Sequence, residues 1–156
     1  MKTITLIRHS HADWSSPDIE RPLTEAGRAL AESTGQSLDQ SAWHADHCAI
    51  SPAVRTQQTA EILLSQIKKP ITTRFEKSIY EASTENLFNL IQTTSNKISH
   101  LCIIGHNPGL TELANLFDSQ HWVNLAPADV VMYQFETKHW EKVCTKTGQL
   151  KSLKNP

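Results

Sequence analysis

Short apolar runs recur along the chain, and most are separated by stretches in which apolar residues follow helical spacing. The runs are rich in β-branched and aliphatic residues, which is typical of short buried strands. The last run, Leu101-Cys102-Ile103-Ile104, has no polar position, as expected of a strand that is covered on both faces. These runs predict strands at 3–8, 46–50, 71–75 and 101–104.

A helix is predicted after each of these strands. Thr24 is a suitable N-cap for a helix that continues to Gln40, where apolar positions recur every four residues. In the pairs Ser51-Pro52 and Asn107-Pro108, a capping residue precedes a proline that fits the first helical position. Further helices are therefore predicted from Ser51 through Ile67, from Ser83 or Thr84 through Ile91, and from Asn107 to about Phe117.

The C-terminal part of the chain departs from this alternation. Residues 130–135 and 140–145 predict two strands joined by a polar turn, which we expect to form an antiparallel pair at a sheet edge. The tail from Lys146 carries several lysines and is predicted to be a solvated end. The order βαβαβαβα followed by two strands predicts an α/β fold of three layers, with a mostly parallel central sheet flanked by helices. We expect one domain over residues 1–156.

Composition excludes several classes of protein. The net charge is −1, so there is no overall basic field to favour nucleic acid as a partner. The chain has three cysteines and no Cys-x-x-Cys pair, and Cys48 and Cys102 fall in apolar runs where buried thiols are expected. No secretory signal and no run of membrane-spanning length is visible. A cytoplasmic protein without a membrane partner is therefore predicted.

Charged and imidazole side chains follow the predicted strands at the point where each strand ends. Arg8 and His9 follow the first strand, Arg55 follows the second, Glu81 follows the third and His106 follows the fourth. Because parallel strands share their carboxyl edge, these side chains are expected to meet in one cleft. Arginines and helix N-termini bind phosphate, and a neutral histidine is a nucleophile for phosphorus. The sequence therefore predicts a phosphoryl-transfer site.

Other interpretations of the same residues remain open. Each of these side chains, taken alone, is also compatible with ordinary surface polarity. A metal site is a second alternative, but arginines beside it would repel a divalent cation, and we expect no metal. Its ligands would come from His9, His11, Asp13 and His106, or from His44 and His47.

Three motifs in this order resemble the histidine phosphatase superfamily. They are Arg8-His9, Ser51-Pro52-x-x-Arg55-Thr56-x-x-Thr59-Ala60 and Gly105-His106-Asn107-Pro108-Gly109. Two further segments resemble its small SixA-type branch, the phosphohistidine phosphatases: Arg21-Pro22-Leu23-Thr24 after a loop with Trp14, and Ile79-Tyr80-Glu81-Ala82-Ser83. The resemblance covers roughly residues 3 to 117 and implies a phosphoglycerate-mutase-like fold.

The resemblance also implies a role for each matched position. His9 would be the nucleophile that forms a transient phosphohistidine, which water then hydrolyses. Arg8, Arg55 and His106 would hold the phosphoryl oxygens, and no metal or organic cofactor would be needed. Arg21 would contribute either to the substrate pocket or to the structure of its loop.

Two positions need separate treatment. Ser10 stands where the superfamily often has glycine, and its hydroxyl is expected near the phosphate, among the substrate-binding groups. Relatives that cleave alkyl phosphate esters use a carboxylic acid to protonate the leaving alkoxide. Glu81 is either this acid or an ordinary loop residue.

The resemblance implies a phosphorylated protein carrying phosphohistidine as the substrate, since the short chain offers no large insertion to cover a small molecule. Phosphatase activity on small phosphoesters or phosphoanhydrides is an alternative. A non-catalytic phosphoprotein-binding module is another, but His9 and every other residue of the implied pocket are present, which favours an enzyme. The oligomeric state is not predicted.

Overall fold

The computed structural model describes residues 1–15 and 17–154. Their strands form one six-stranded sheet with the order β3-β2-β4-β1-β5-β6. The strands are β1 (Lys2–Arg8), β2 (His47–Ile50), β3 (Thr72–Phe75), β4 (His100–Gly105), β5 (Val130–Phe135) and β6 (Gly148–Lys154). The α-helices are α1 (Glu25–Gln40), α2 (Val54–Ser65), α3 (Thr84–Gln92) and α4 (Gly109–Phe117). Short 3-10 helices lie at Asp18–Glu20, Lys77–Ile79 and Trp140–Lys142.

The sheet is mixed, with three parallel and two antiparallel strand pairings. β4 pairs in parallel with both β1 and β2, and β3 pairs in parallel with β2. β5 and β6 add an antiparallel extension beyond β1. The predicted α/β fold with a mostly parallel central sheet is therefore confirmed. Because Arg8 is in register with Gly105, and Ile50 with Ile104, the carboxyl ends of β1, β2 and β4 lie side by side.

Side-chain alternation along the central strands divides the core into two layers. Ile4 and Leu6 of β1 pack with α3 and α4 on one face of the sheet, whereas Ile7 packs with α1 and α2 on the other. In β4, Ile103 and Ile104 alternate in the same way. This period of two explains the unbroken apolar run at residues 101–104 of β4, since helices cover both faces of the sheet.

The C-terminal prediction was wrong in two respects. Residues 140–145 do not form a strand: Trp140 begins a 3-10 helix, and its fully buried ring donates an Nε1 hydrogen bond to the Ile98 carbonyl. Trp140 and Val143 account for the apolar character of this segment, and both are buried in the core without forming a strand. The tail predicted as a solvated end instead forms β6, which pairs with β5 along its length. Lysines are compatible with this position because β6 is an edge strand, where charged side chains reach solvent.

Helix starts were predicted correctly where a side chain caps the helix. Thr24 caps α1 by accepting a hydrogen bond from the Gly27 amide, and Ser83 caps α3 in the same way. The two proline-based starts were predicted slightly too early: α2 begins at Val54, two residues after Pro52, and α4 at Gly109, one residue after Pro108. Ser51, the predicted cap of α2, instead directs its hydroxyl to a histidine of the site described below.

Cys48 and Cys102 lie opposite each other on β2 and β4 as free, buried thiols. Their prediction as core thiols is confirmed. Within residues 1–15 and 17–154, no helix has the length and apolar character that a membrane span requires.

Candidate active site

A cavity of about 700 Å³ lies at the carboxyl ends of β1 and β4, where Arg8 and His106 line it. Its walls come from the loop after β1, the start of α2, the loop after the second 3-10 helix and the loop before α4. This is the edge of a parallel sheet at which ligands bind in α/β proteins. The predicted site residues all line this one cavity: Arg8, His9, Ser10, Arg21, Arg55, Glu81 and His106.

His9 lies directly after β1, and its backbone amide donates to the Gly105 carbonyl of the neighbouring strand. Its Nδ1 lies 2.7 Å from the Ser10 carbonyl oxygen. A carbonyl only accepts hydrogen bonds, so Nδ1 carries the proton and Nε2 has a free lone pair. That lone pair lies beside Arg55, whose Nε donates to it across 3.3 Å. His9 is therefore held in the tautomer that a nucleophile attacking through Nε2 requires.

Arg55 is in the first turn of α2 and is buried. In addition to its Nε contact with His9, its two terminal nitrogens donate to Asp18: Nη1 to the backbone carbonyl at 2.8 Å and Nη2 to the carboxylate at 3.1 Å. A guanidinium has five N–H donors, and these three contacts leave two of them free for an anion in the cavity.

Arg8, the last residue of β1, is tied to the opposite wall. Its Nη1 donates to the Leu125 carbonyl at 2.9 Å, while its buried Nε has no hydrogen-bond partner among the described residues. Asn107 donates to the same carbonyl, so the loop before β5 is joined to the loop after β4. A buried unpaired N–H group costs free energy, so an oxyanion that accepts from it would be stabilised.

His106 lies directly after β4, and its ring centroid is 5.3 Å from that of His9. Its Nε2 is 2.6 Å from the Ser51 hydroxyl, whereas its buried Nδ1 has no partner among the described residues. When Ser51 donates to Nε2, Nδ1 carries the proton and is a donor for a phosphoryl oxygen. Arg8 Nε and His106 Nδ1 are thus two buried polar atoms without a hydrogen-bond partner among the described residues, on side chains that line the same cavity as His9.

Burial and nearby cations keep both imidazoles neutral near pH 7. Burial, together with the positive charges of Arg55, Arg8 and Arg21, lowers the pKa of His9 to about 4 against the opposing effect of the Ser10 carbonyl. Burial, then His9 and Arg55, lower the pKa of His106 to about 3. The neutral form of His9 is the one that attacks phosphorus.

The loop after β1 is held close to α1 by glycine. A Cβ at Gly27 would collide with the His11 carbonyl oxygen, so only glycine allows this approach. Ser10 completes the contact: its hydroxyl donates to the Gly27 carbonyl at 2.7 Å, and its amide donates to Thr59. The Ser10 hydroxyl, which we expect near the phosphate, thus uses its single hydrogen to hold the loop to α1, and its contact with a substrate stays a prediction.

Arg21 and Glu81 both line the cavity. Arg21 donates to the Asp13 carbonyl at 2.6 Å and to the Asp18 carboxylate at 2.9 Å, and its guanidinium stacks on the exposed Trp14 ring at 4.5 Å. It therefore organises its own loop while facing the cavity. Glu81 is exposed on the cavity wall, on a backbone with φ of 50°.

Three residues at the site have contacts for which the sequence gave no role. Asp18 binds both Arg21 and Arg55, Tyr80 donates to Asp18 and packs on His106, and Ser51 binds His106. Asp18 lies in a loop without periodicity, three residues before Arg21. The one signal in the sequence was the negative charge of Asp18 close to the positive charge of Arg21.

The metal alternative has no support in the described geometry. Within residues 1–15 and 17–154, no three His, Cys, Asp or Glu side chains are grouped so that they could hold a metal ion. The arrangement instead combines a neutral imidazole nucleophile with arginine and imidazole donors around one cavity, which are the groups that phosphoryl transfer requires.

Comparison with known proteins agrees with this chemistry. The sequence profile of the histidine phosphatase superfamily (branch 1) matches residues 4–87, more than half of the chain. The chain belongs to the histidine phosphatase superfamily. The matched segment contains β1, α1, α2 and the wall with Tyr80 and Glu81, and so it includes His9 and Arg55.

Individual relatives are more distant. The mitochondrial serine/threonine-protein phosphatase Pgam5 of Drosophila ananassae is 41% identical over 66 residues, which are 42% of this chain and 23% of that protein. The chain thus spans less than a quarter of that relative's length.

The structure of a SixA protein from Nakamurella multipartitia is similar at a TM-score of 0.85 with 20% identity, covering 99% of this chain and 96% of that one. The protein histidine phosphatase SixA complexed with tungstate has a TM-score of 0.83 with 16% identity, covering 97% and 95% of the two chains. These two likenesses establish the shared fold.

Proposed function

We propose that the protein is a phosphatase that removes the phosphoryl group from phosphohistidine on a partner protein, in a cytoplasmic setting. The observation that carries the proposal is the state of His9. Its Nδ1 proton is committed to the Ser10 carbonyl, and its Nε2 lone pair lies beside Arg55 in an open cavity. An imidazole fixed in this way is prepared to accept a phosphoryl group.

The proposed reaction has two steps. In the first, Nε2 of His9 attacks phosphorus, the P–N bond of the substrate breaks, and its electron pair returns to the substrate imidazole. That imidazole is protonated on its other nitrogen, so it leaves neutral without a proton donor. In the second step, water attacks the phosphoryl group on His9, the P–Nε2 bond breaks, and orthophosphate leaves with the proton of the water.

Positive charge around the cavity supports both steps. Arg8, Arg55 and His106 line the cavity together with His9. The two uncommitted N–H groups of Arg55 and the unpartnered Arg8 Nε and His106 Nδ1 are suited to donate to phosphoryl oxygens. The site contributes positioning and charge stabilisation, which are the main requirements of phosphoryl transfer.

Two arguments support this substrate class. Phosphohistidine needs no proton donor for its leaving group, and the chain shares its fold with SixA proteins. Hydrolysis of small phosphoesters is the alternative that one observation favours: Glu81 is on the cavity wall, where a carboxylic acid would protonate a leaving alkoxide. A carboxylate at this place is not needed for phosphohistidine.

The decisive experiment measures orthophosphate release from a phosphohistidine-bearing protein and from p-nitrophenyl phosphate. We expect rapid release from the first substrate, and we expect His9→Ala to abolish it. His139→Ala is the matched control, because His139 is exposed and its imidazole pairs with Glu141 away from the cavity. The control should retain wild-type rates.

Other outcomes would redirect the assignment. Faster release from the ester, with a loss in Glu81→Gln, would identify a small-molecule phosphatase. Release from neither substrate, together with phosphate binding that survives His9→Ala, would identify a non-catalytic phosphoprotein-binding module.

A further inference from the structure

The Asp18 carboxylate joins three segments of the site. It accepts hydrogen bonds from Arg21 Nη1 at 2.9 Å, from Arg55 Nη2 at 3.1 Å and from the Tyr80 hydroxyl at 2.7 Å. The Asp18 backbone carbonyl accepts a fourth, from Arg55 Nη1 at 2.8 Å. These partners come from the loop after β1, the first turn of α2 and the loop that follows the second 3-10 helix.

The contacts with Asp18 fix the orientation of the Arg55 guanidinium. Both terminal nitrogens of Arg55 are bound by Asp18 on one side, and the remaining Nε edge faces His9 Nε2. A planar guanidinium held at two nitrogens cannot rotate without breaking both bonds. Asp18 therefore determines which edge of Arg55 is presented to the reacting nitrogen.

Tyr80 holds Asp18 from the other side of the cavity. Its hydroxyl donates to Oδ2, and its ring packs edge-on against His106 with the centroids 5.6 Å apart. The same tyrosine thus contacts the imidazole wall and the carboxylate that orients Arg55. The hydrogen bond from Tyr80, together with Arg21 and Arg55, holds the pKa of Asp18 well below its usual range.

We propose that Asp18, held by Tyr80, is a positioning residue that fixes Arg55 against His9 Nε2 for phosphoryl transfer. The inference rests on the proposed phosphatase function. Asp18 is not a competitor for the phosphoryl group, because it takes one hydrogen from each terminal nitrogen of Arg55 and leaves Nε directed at His9. Arg55 Nε points at His9, and Arg8 Nε and His106 Nδ1 have no partner among the described residues.

The main test is Asp18→Asn, which preserves the size of the side chain and removes its charge. We expect kcat to fall about 10- to 100-fold, since misplacing a catalytic group by roughly 1 Å costs about 100-fold. Inhibition by orthophosphate should be unchanged or stronger, because the variant cavity keeps its arginines and loses a negative charge. The control is Glu20→Gln, in the same 3-10 helix, where Glu20 makes no ion pair within the described residues.

A double-mutant test separates positioning from a general structural role. If Asp18 acts through Arg55, Asp18→Asn should cause little further loss of kcat in the Arg55→Ala background. Tyr80→Phe keeps the ring on His106 and removes the hydroxyl, so it should lower kcat by several-fold and be non-additive with Asp18→Asn. This variant also serves if Asp18→Asn folds poorly.

Three results would overturn the inference: unchanged kcat in Asp18→Asn, an increase in kcat/KM as expected of a displaced competitor, or full additivity with Arg55→Ala. Failure of the proposed function itself is separate, because it would appear as a wild-type protein without His9-dependent phosphate release.

Discussion

The two ends of the central sheet each hold a half-buried histidine whose imidazole is bonded to a hydroxyl. At the carboxyl end, Ser51 Oγ lies 2.6 Å from His106 Nε2. At the amino end, Thr5 Oγ1 lies 2.8 Å from His100 Nε2. Burial lowers the pKa of His106 to about 3 and that of His100 to about 4. By burial, hydroxyl partner and pKa, the two imidazoles are nearly equivalent.

They differ in what surrounds the second ring nitrogen. His100 also bonds to the His44 backbone, and its hydroxyl partner Thr5 accepts a hydrogen bond from Trp43 Nε1, so the network is satisfied. His106 has an unpartnered Nδ1 among the described residues and lies beside His9 and Arg55 in an open cavity. A lowered histidine pKa therefore does not by itself mark a reactive site, whereas an unsatisfied nitrogen beside guanidinium groups does.

The strongest way to break this comparison is to remove Arg55, because no arginine is among the described residues that line the groove around His100. Arg55→Ala should lower turnover at least about 100-fold, in line with the ~2.7–4 kcal/mol assigned to a donor that stabilises transition-state charge. Steady-state phosphate release measures the effect. Arg74→Ala is the matched control, because Arg74 pairs with Glu76 on the exposed edge strand β3. Near-normal turnover in Arg55→Ala would remove Arg55 from the proposed mechanism.

Acid pH should act on both ends of the sheet through the same linkage. The folded-state pKa values of His9 and His100, both about 4, are below the ordinary value of 6.5, so the unfolded chain binds more protons between these limits. Stability is therefore full above pH 6.5 and falls as the pH decreases towards 4, by as much as about 3 kcal/mol for each such imidazole. Urea unfolding measured across this pH range should show the decline.

Phosphate should separate the two ends in the same pH range. A bound anion favours the charged imidazole, so orthophosphate should raise the titration midpoints of His9 and His106 in ¹⁵N NMR spectra. His100, at the opposite edge of the sheet, should keep its midpoint. An equal shift of all three midpoints would show that phosphate does not bind selectively at the carboxyl end.

The same contrast explains how much of the molecule the sequence could predict. The order of elements and the placement of His9, Arg55 and His106 around one cavity follow from strand ends and motif spacing. The hydrogen bonds of Ser51 were not predictable, since a serine before proline also satisfies the rule for a helix cap, and only the three-dimensional placement of His106 distinguishes these uses. Asp18 was missed for a related reason: its partners are distant in sequence and its loop has no periodicity.

The edge of the sheet was harder to predict than its centre. Residues 101–104 of the central strand β4 are apolar at each position, because two helical layers cover the strand. In β6, Leu150 and Leu153 are separated by polar residues, and the lysines there are equally common in solvated tails. Trp140 led to the opposite error, a strand predicted where none forms. Its apolar side chain is buried in the core, but residues 140–142 form a 3-10 helix.

The smallest effect on catalysis should come from breaking the hydroxyl contact at the amino end. Thr5 is fully buried, and Thr5→Val keeps its shape while removing the partner of both Trp43 Nε1 and His100 Nε2. We expect the free energy of unfolding to fall by about 1–3 kcal/mol, the cost of leaving buried polar groups unpaired, with kcat unchanged. Urea unfolding and phosphate release measure the two quantities. Ser51→Ala removes the corresponding hydroxyl from His106 and should lower kcat instead, so a loss of kcat in Thr5→Val would contradict the division of the two ends into a structural and a catalytic histidine.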